Sequence, residues 1–222
     1  MTSLFVTGTD TEVGKTAVSV ALMSLLKQQG LSVAGMKPIA SGCESTADGF
    51  RNDDALILNR QASVELDYDL VNPYAFEPAI APHIAADKVS IAIQANVIQR
   101  QFYQIQQQVD SVIVEGAGGW LVPIDTTLTM ADVAIRLGLP VVLVVGIRLG
   151  CINHALLTVQ AIVQSGLPFY GWVANQMTDN AESEAIIESL KTRISAPCLG
   201  VVPVLAEGCQ MTDYISLLIP GK

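Results

Sequence analysis

A stretch of nine residues near the start of the chain has the residue types of a phosphate-binding loop. It reads GTDTEVGKT from Gly8 to Thr16 and lies between an apolar run that ends at Val6 and a helix-like segment that begins at Ala17. A turn that leads into a helix points backbone N–H groups inward, where they can bind a polyphosphate. Lys15 would then reach the β- and γ-phosphates, and the hydroxyl of Thr16 would coordinate the Mg²⁺ that bridges them.

The spacing within this loop differs from the usual one. Five residues instead of four separate Gly8 from Gly14, and Thr9 takes the place of the usual first glycine. Gly14 suits a backbone that must pass close to phosphate oxygens. The other interpretation is an ordinary strand-to-helix turn capped by Thr16, but the GKT triplet between a strand and a helix favours the phosphate loop.

Two more candidate residues for this chemistry follow other apolar runs. Glu115 ends the run that starts at Ser111 and precedes GAGG, so we expect its carboxylate at the carboxyl edge of a sheet, beside the first strand. There it would complete the metal site of a phosphate loop. The alternative is a carboxylate at the end of a buried strand that is only solvated or paired with another charge. Lys37 ends another run. From its residue type alone, it could be a lysine of the site or a solvated lysine on the surface, and neither interpretation is favoured.

A short polar triplet could supply a further carboxylate. Asn52, Asp53 and Asp54 precede the apolar run from Ala55 to Leu58, a pattern that predicts a helix N-terminus. Capping would account for the acidic residues without any chemistry. Near a phosphate loop, however, one of the two carboxylates could face Mg²⁺, which usually takes one or two protein carboxylates.

Composition excludes several classes of protein. The 222 residues suffice for one α/β domain over residues 1–222, and half of them are apolar. The mean hydropathy of +0.44 leaves room for a buried subunit interface. A net charge of −9 without a basic cluster argues against nucleic-acid binding. Four cysteines without a closely spaced pair, and two histidines, argue against a zinc site.

The same features predict where the protein works. No apolar run approaches the roughly 20 residues that cross a bilayer. The start of the chain lacks a basic segment followed by an apolar core and a cleavage site. We therefore expect a cytoplasmic protein with reduced thiols and no membrane partner.

Apolar runs of strand length alternate with helix-length segments along the chain. The predicted strands cover residues 3–7, 32–37, 111–115, 140–145, 169–175 and 198–202, and the predicted helices include 17–28, 153–165 and 181–194. Continuous apolar runs suit strands that are buried on both faces. We therefore predict an α/β fold with one doubly wound, mainly parallel sheet and helices on both faces. Segments 38–82 and 116–132 interrupt the pattern, and we expect them to line the site.

Six motifs together resemble the dethiobiotin synthetases, ATP-dependent ligases of biotin synthesis with a P-loop NTPase-like fold. They are GTDTEVGKT at 8–16, MKPIASG at 36–42, NDDA at 52–55, VEGAGGWLVPI at 114–124, GCINHALLT at 150–158 and WVANQM at 172–177. The resemblance implies that one amine of 7,8-diaminopelargonate captures CO₂ as a carbamate. ATP then activates the carbamate as a mixed anhydride, and the second amine closes the ureido ring with release of ADP and phosphate.

The resemblance also implies roles for individual residues. Lys15 and Lys37 would stabilise charge on the γ-phosphate and the carbamate, with Thr11 and Glu12 beside them. For Thr11, Glu12 and Ser41, turn chemistry is the alternative. Thr16, Asp54 and Glu115 would hold Mg²⁺. The implied substrate-binding residues are Ser41, Gly118, Gly150, Cys151 and Asn153. The implied nucleotide-binding residues are Glu12, Val13, Gly14, Lys15, Thr16, Ala17, Asp54, Glu115, Gly116, Ala117, Gly118, Asn175, Gln176, Pro203, Val204 and Leu205.

The segment Gly150 to Asn153 is the expected second anion site. It precedes a helix for which Asn153 is a suitable cap, so free N–H groups could bind the distal carboxylate of the substrate. In the family this loop reaches the substrate across a subunit interface, which implies a homodimer. The alternative is that Asn153 only caps its helix.

The chain departs from the family pattern at two places. Arg148 stands where the family often has lysine, and the tail after Leu205, including Glu207 and Gly208, matches poorly, so the nucleotide preference stays open. Two other functions are possible for this fold. A partition or cell-division ATPase switch would have a signature lysine at the position of Asp10. A non-catalytic regulatory domain would not need Lys15, Thr16, Lys37 and Glu115.

Overall fold

The computed structural model describes residues 3–206 and 209–217. Its strands are β1 (Leu4–Gly8), β2 (Val33–Met36), β3 (Ile39–Ser41), β4 (Glu44–Thr46), β5 (Gly49–Arg51), β6 (Tyr74–Phe76), β7 (Ser111–Gly119), β8 (Val141–Ile147), β9 (Phe169–Gln176) and β10 (Cys198–Val202). Its helices are α1 (Lys15–Gln28), α2 (Asp53–Arg60), α3 (Tyr68–Val71), α4 (Pro82–Lys88), α5 (Ala95–Gln106), α6 (Met130–Leu137), α7 (Cys151–Gln164) and α8 (Ser183–Arg193), followed by a 3₁₀ turn at Met211–Tyr214.

Six strands form one parallel sheet in the order β10–β9–β8–β1–β7–β2. The central strands β1 and β8 are buried along their whole length, as continuous apolar runs require. The predicted doubly wound parallel sheet is therefore confirmed. Two small sheets, β3 with β6 and β4 with β5, lie in the segment that interrupts the strand–helix pattern.

Alternate residues of each strand face opposite sides of the sheet, and each side has its own apolar cluster. Phe5 belongs to the cluster that includes Ile98 of α5 and Ile162 of α7. Its neighbour Val6 belongs to the other cluster, which includes Leu22 of α1. Helices therefore cover both faces, and the carboxyl ends of the strands are left to the loops that form the site.

Two helices begin earlier than the sequence predicts, each after a glycine in the left-handed region. Gly14, with φ of 91°, is the N-cap of α1, which starts at Lys15. Gly150, with φ of 89°, is the N-cap of α7, which starts at Cys151. Asn153 therefore lies inside the first turn of α7, and its predicted role as the cap is wrong.

Strand β7 is longer than predicted. The apolar run predicts an end at Glu115, but the strand continues through the glycines to Gly119, which pairs with Gly8 after a register shift. Helix α8 is shorter than predicted, since it spans Ser183–Arg193.

None of the helices within the described ranges combines the length and apolar character needed to cross a membrane.

Candidate active site

A cavity of about 930 Å³ opens where β1, β2 and β7 end. Ligands of open α/β sheets bind at this edge. The cavity brings together many of the residues that the sequence singles out: Thr11, Glu12, Gly14, Lys15, Thr16, Ala17, Lys37, Ser41, Asp54, Glu115, Ala117 and Gly118. Apolar residues of the loop before α4 form another part of its wall: Ala79, Ile80, Ala81 and Pro82.

The centre of the cavity is a network of one ammonium, two carboxylates and a hydroxyl. Lys37 Nζ lies 2.5 Å from Glu115 Oε1 and 2.9 Å from Asp54 Oδ2. The hydroxyl of Thr16 donates to the same Glu115 oxygen at 3.0 Å. Asp54 does not cap α2, because the Asn52 side chain accepts the N–H of Ala55 in that role.

The sheet register explains why Lys37 and Glu115 meet. Strand β2 pairs with β7 so that Met36 lies opposite Val114. The residues that follow these two, Lys37 and Glu115, are therefore neighbours. Strand β1 pairs with the other side of β7, with Val6 opposite Glu115. The phosphate loop that follows β1 thus starts beside the same carboxylate.

Burial gives this network its electrostatic character. Lys37 is 5 % exposed and Glu115 is fully buried, so Lys37 is not a surface lysine. Burial by itself would lower the pKa of Lys37, but Glu115 and Asp54 outweigh it and raise that pKa above its ordinary value. Burial would raise the pKa of Asp54, but Lys37 lowers it overall. Lys37 and Asp54 are therefore both charged at neutral pH.

Lys15 has the opposite electrostatic environment. Its Nζ donates to the carbonyl of Asp10 at 2.9 Å. Burial, followed by repulsion from Lys37, lowers the pKa of Lys15 to about 8, even though Glu115 and Asp54 act in the other direction. A polyphosphate in the cavity would favour the ammonium form of this side chain.

The oxygen donors beside Lys37 fit Mg²⁺. Glu115 Oε2 is buried and has no hydrogen-bond partner in the described part of the chain. Mg²⁺ takes oxygen ligands and usually keeps several waters. Among residues 3–206 and 209–217 no group of three His, Cys, Asp or Glu side chains could hold a metal. Thr16, Asp54 and Glu115 could hold such an ion together with water and phosphate oxygens.

The backbone of the phosphate loop is held in an uncommon conformation. Glu12 has φ of 58°, in the left-handed region that side-chain-bearing residues rarely adopt. A Cβ at Gly14 would lie 2.3 Å from Nδ2 of Asn175. That nitrogen donates to the carbonyl of Val13 at 2.9 Å. Asn175 thus supports the loop, a contact across 162 positions that no local sequence pattern signals.

The glycines after Glu115 allow close packing around the cavity. A Cβ at Gly118, which has φ of 61°, would lie 2.8 Å from the Val122 side chain and 3.7 Å from Thr11 Oγ1. A Cβ at Gly116 would approach the Phe5 ring at 3.2 Å. Any side chain at Gly118 would therefore be strained by the left-handed φ and would crowd Val122.

Ser41 lies in segment 38–82, the first of the two segments expected to line the site, and has an unused polar atom. It lines the cavity at the end of β3, and its hydroxyl oxygen is buried without a partner among the residues that the structure describes. A buried hydroxyl of this kind needs a hydrogen bond to offset its loss of water. A ligand in the cavity could provide one.

The remaining predicted residues lie outside the lining of this cavity. Asn175 and Gln176 end β9, and the segment 203–205 follows the neighbouring strand β10. Gly150, Cys151 and Asn153 lie at the start of α7. Here the N–H of Cys151 already donates to the carbonyl of Arg148 at 3.1 Å, so it is not a free donor. Glu207 and Gly208 fall outside the described residues.

The fold and the loop define a P-loop nucleotide-binding protein. A family model described as an AAA domain matches residues 2–211. The MinC:MinD cell division protein complex of Aquifex aeolicus superposes with a TM-score of 0.60 at 17 % identity, over 93 % of this chain and 83 % of the other. FtsY of Elizabethkingia anophelis in complex with GDP gives 0.59 at 16 % identity, over 98 % and 60 %. These likenesses concern the fold alone.

Sequence relatives identify the family within this class. The chain is 51 % identical over 210 residues to the ATP-dependent dethiobiotin synthetase BioD of Pseudomonas paraeruginosa, covering 93 % of this chain and 92 % of the relative. It is 50 % identical over 219 residues to BioD 1 of Escherichia coli O157:H7, covering 97 % of both. The chain therefore belongs to the ATP-dependent dethiobiotin synthetase family, as the six motifs predicted.

Proposed function

We propose that the cavity converts 7,8-diaminopelargonate and CO₂ into dethiobiotin, with ATP as the co-substrate. The observation that carries this proposal is the buried pair of Lys37 and Glu115, with the half-buried Asp54, beside the phosphate loop. A ligase of this kind must hold the γ-phosphate of ATP and a small acid in one site and neutralise both. The cavity has a buried ammonium for each of these charges, Lys15 and Lys37.

The reaction has three steps that the site must support. One amine of the diamine attacks CO₂ and loses a proton, which gives a carbamate. A carbamate oxygen attacks the γ-phosphorus, and ADP leaves. The second amine then attacks the carbonyl carbon of the mixed anhydride, and inorganic phosphate leaves as the ring closes. Each step adds or moves negative charge on oxygen, so catalysis depends on positioning and charge neutralisation.

Lys37 is suited to the carbamate because its raised pKa keeps it protonated. Its two carboxylate partners could also bind Mg²⁺. In the protein alone, the Lys37 ammonium contacts Glu115 and Asp54. Mg²⁺, if held by Thr16, Asp54 and Glu115, would neutralise the negative charge of the phosphates beside these residues. The two carboxylates would then bind Lys37 less strongly, and its Nζ could donate to the carbamate or to a γ-phosphate oxygen.

Lys15 is suited to the polyphosphate because it lies within the loop. Its bond to the Asp10 carbonyl is a neutral-acceptor bond, and a phosphate oxygen offers a stronger, charged acceptor. We infer that Lys15 moves from the carbonyl to the β- and γ-phosphates when ATP binds. Thr11, Glu12 and Ser41 line the same cavity and would contact the diamine or its carbamate.

The adenine base would lie at the next strand ends. Gln176 and Asn175 end β9, and Pro203, Val204 and Leu205 follow β10. An amide side chain offers a donor and an acceptor to the N6/N7 edge of adenine. Because Asn175 already donates to Val13, we expect Gln176 to provide more of this recognition.

We also propose that the enzyme is a homodimer whose interface completes the substrate site. A second cavity of about 410 Å³ lies between Thr11 of the phosphate loop and Leu157 of α7. Leu121 and Leu157 line this cavity and are 61 % and 58 % exposed, and Leu149, which precedes α7, is 96 % exposed. A second copy would bury them and could bring its own Gly150–Asn153 segment to the substrate. The molar mass in solution tests this, since a monomer at assay concentration would exclude a shared site.

A cytoplasmic location is consistent with the cysteines. All four, Cys43, Cys151, Cys198 and Cys209, are unpaired. Unpaired cysteines are the rule where glutathione and thioredoxin keep thiols reduced.

The deciding experiment is phosphate release by the purified protein with Mg·ATP, omitting the diamine or bicarbonate in turn, with mass detection of dethiobiotin. We expect release to need both substrates and dethiobiotin to form in equal amount. Release without the diamine would replace the proposal with an ATPase switch. Nucleotide binding without any release would replace it with a non-catalytic domain.

A further inference from the structure

Asp10 forms hydrogen bonds with Thr11 and Lys15 of the phosphate loop and with Arg148 outside it. Its Oδ1 accepts the N–H of Thr11 at 2.8 Å, and its carbonyl accepts Lys15 Nζ at 2.9 Å. Its Oδ2 accepts a hydrogen bond from the guanidinium of Arg148, which also forms an ion pair with it. Among the described residues, Arg148 is thus the one from outside the loop whose side chain forms a hydrogen bond or ion pair with Asp10.

Arg148 is itself held on a rigid part of the fold. It directly follows β8, whose residues from Val141 to Ile147 are all buried. Its carbonyl accepts the N–H of Cys151, the first residue of α7. The ion pair therefore fastens the phosphate loop to the junction of β8 and α7.

The loop next to Asp10 needs such support. Glu12 has a left-handed φ of 58°, a conformation that persists in a residue with a side chain only when its surroundings hold it. Thr11 and Glu12 are both exposed and both line the cavity. The N–H of Thr11 donates to the side chain of Asp10, so a shift of that side chain would also shift Thr11.

We propose that Arg148 is a positioning residue that acts through Asp10 to fix Thr11 and Glu12 for ring formation. This rests on the proposed function, because that function places the diamine against Thr11 and Glu12. The side chains of Arg148 and Asp10 are 51 % and 47 % exposed, so the pair contributes little to global stability. Its effect is on the geometry of the loop, to which the reaction rate is sensitive.

The test compares Arg148→Met, Asp10→Asn and the double variant with the wild type. We expect kcat/KM for the diamine to fall about tenfold in each single variant, because small displacements of positioned groups slow reactions strongly. The double variant should be no slower than the singles, since both remove the same link. Arg148→Lys should restore part of the rate. The melting temperature should change by less than about 4 °C.

A second readout does not depend on activity. Amide hydrogen exchange in residues 8–16 should speed up in Arg148→Met, because the Thr11 N–H loses a fixed acceptor. Lys191→Met is the matched control, since it breaks the exposed ion pair of Lys191 with Glu188 on α8, far along the chain from the loop. Exchange and turnover should be unchanged in this control.

Three results would overturn the inference. Unchanged turnover and exchange in Arg148→Met, in a wild type that forms dethiobiotin, would remove Arg148 from loop positioning while leaving the proposed function intact. Losses that multiply in the double variant would mean that Arg148 acts on the substrate directly and not through Asp10. A wild type that forms no dethiobiotin would overturn the proposed function, and with it the role of Arg148 in ring formation, whatever the exchange data show.

Discussion

Replacing Lys37 by Met removes the ammonium that lies between Glu115 and Asp54. The methionine is of similar length and apolar, so the cavity keeps its shape while the charge is lost. Glu115 is fully buried and would keep only the hydroxyl of Thr16 as a donor from the described network. Asp54 has a side chain that is 40 % exposed, so water can replace its lost partner.

The expected cost in stability therefore comes mainly from Glu115. Breaking a buried ion pair by removing one partner costs about 3 kcal/mol or more, because the other charge is left without compensation. For a chain of this size each kcal/mol lowers the melting temperature by about 2–4 °C. We expect Lys37→Met to melt roughly 6–12 °C below the wild type in the absence of nucleotide and Mg²⁺.

The loss of activity should be larger than the loss of stability suggests. Removing one preorganised donor to a developing oxyanion costs about 10²–10³ in kcat. Turnover is measured as dethiobiotin formed per enzyme at a temperature where the variant is folded, as judged by circular dichroism. Lys191→Met again serves as the control, because it removes a lysine from an exposed ion pair.

The double variant Lys37→Met/Glu115→Gln separates the two effects. A neutral amide at position 115 leaves no buried charge without a partner, so the melting temperature should return to within about 4 °C of the wild type. Activity should stay lost. A Lys37→Met variant with unchanged melting temperature and near-normal turnover would refute the argument. So would a double variant that melts lower than the single one.

Three further predictions follow from the same contacts. Glu115→Gln alone should raise the Mg²⁺ concentration for half-maximal turnover about tenfold or more, and an unchanged metal titration would assign this carboxylate to structure. Gly14→Ala should weaken ATP binding, measured by calorimetry, and lower the free energy of unfolding by about 1–3 kcal/mol, because the left-handed φ and the Asn175 amide leave no room for a Cβ. Normal ATP binding would mean that the loop adapts to the added methyl group. Burial lowers the pKa of Lys15 to about 8, so the ammonium is present below pH 8 and lost above it. ATP affinity of the free enzyme should therefore fall above pH 8 in the wild type but not in Lys15→Gln.

The sequence alone determined the fold class and the core of the phosphate site. Strand-length apolar runs, and a Gly-containing turn that leads into a helix, depend on local chemistry, which is encoded within a few residues. Glu115 could be placed beside the first strand for the same reason, because it ends a buried run. Lys37 and Asp54 were ambiguous from residue type alone, and only the resemblance to a family favoured a role for them.

The tertiary structure decided how these residues meet. Lys37 lies against Glu115 because β2 and β7 pair in one register, although 78 positions separate the two residues. Asn175 supports Val13, and Arg148 holds Asp10, through contacts that span 162 and 138 positions. The starts of α1 and α7 depend on the left-handed glycines that precede them. Residue types set local propensities, but partners distant in the chain are chosen by packing and strand order, which no single segment encodes.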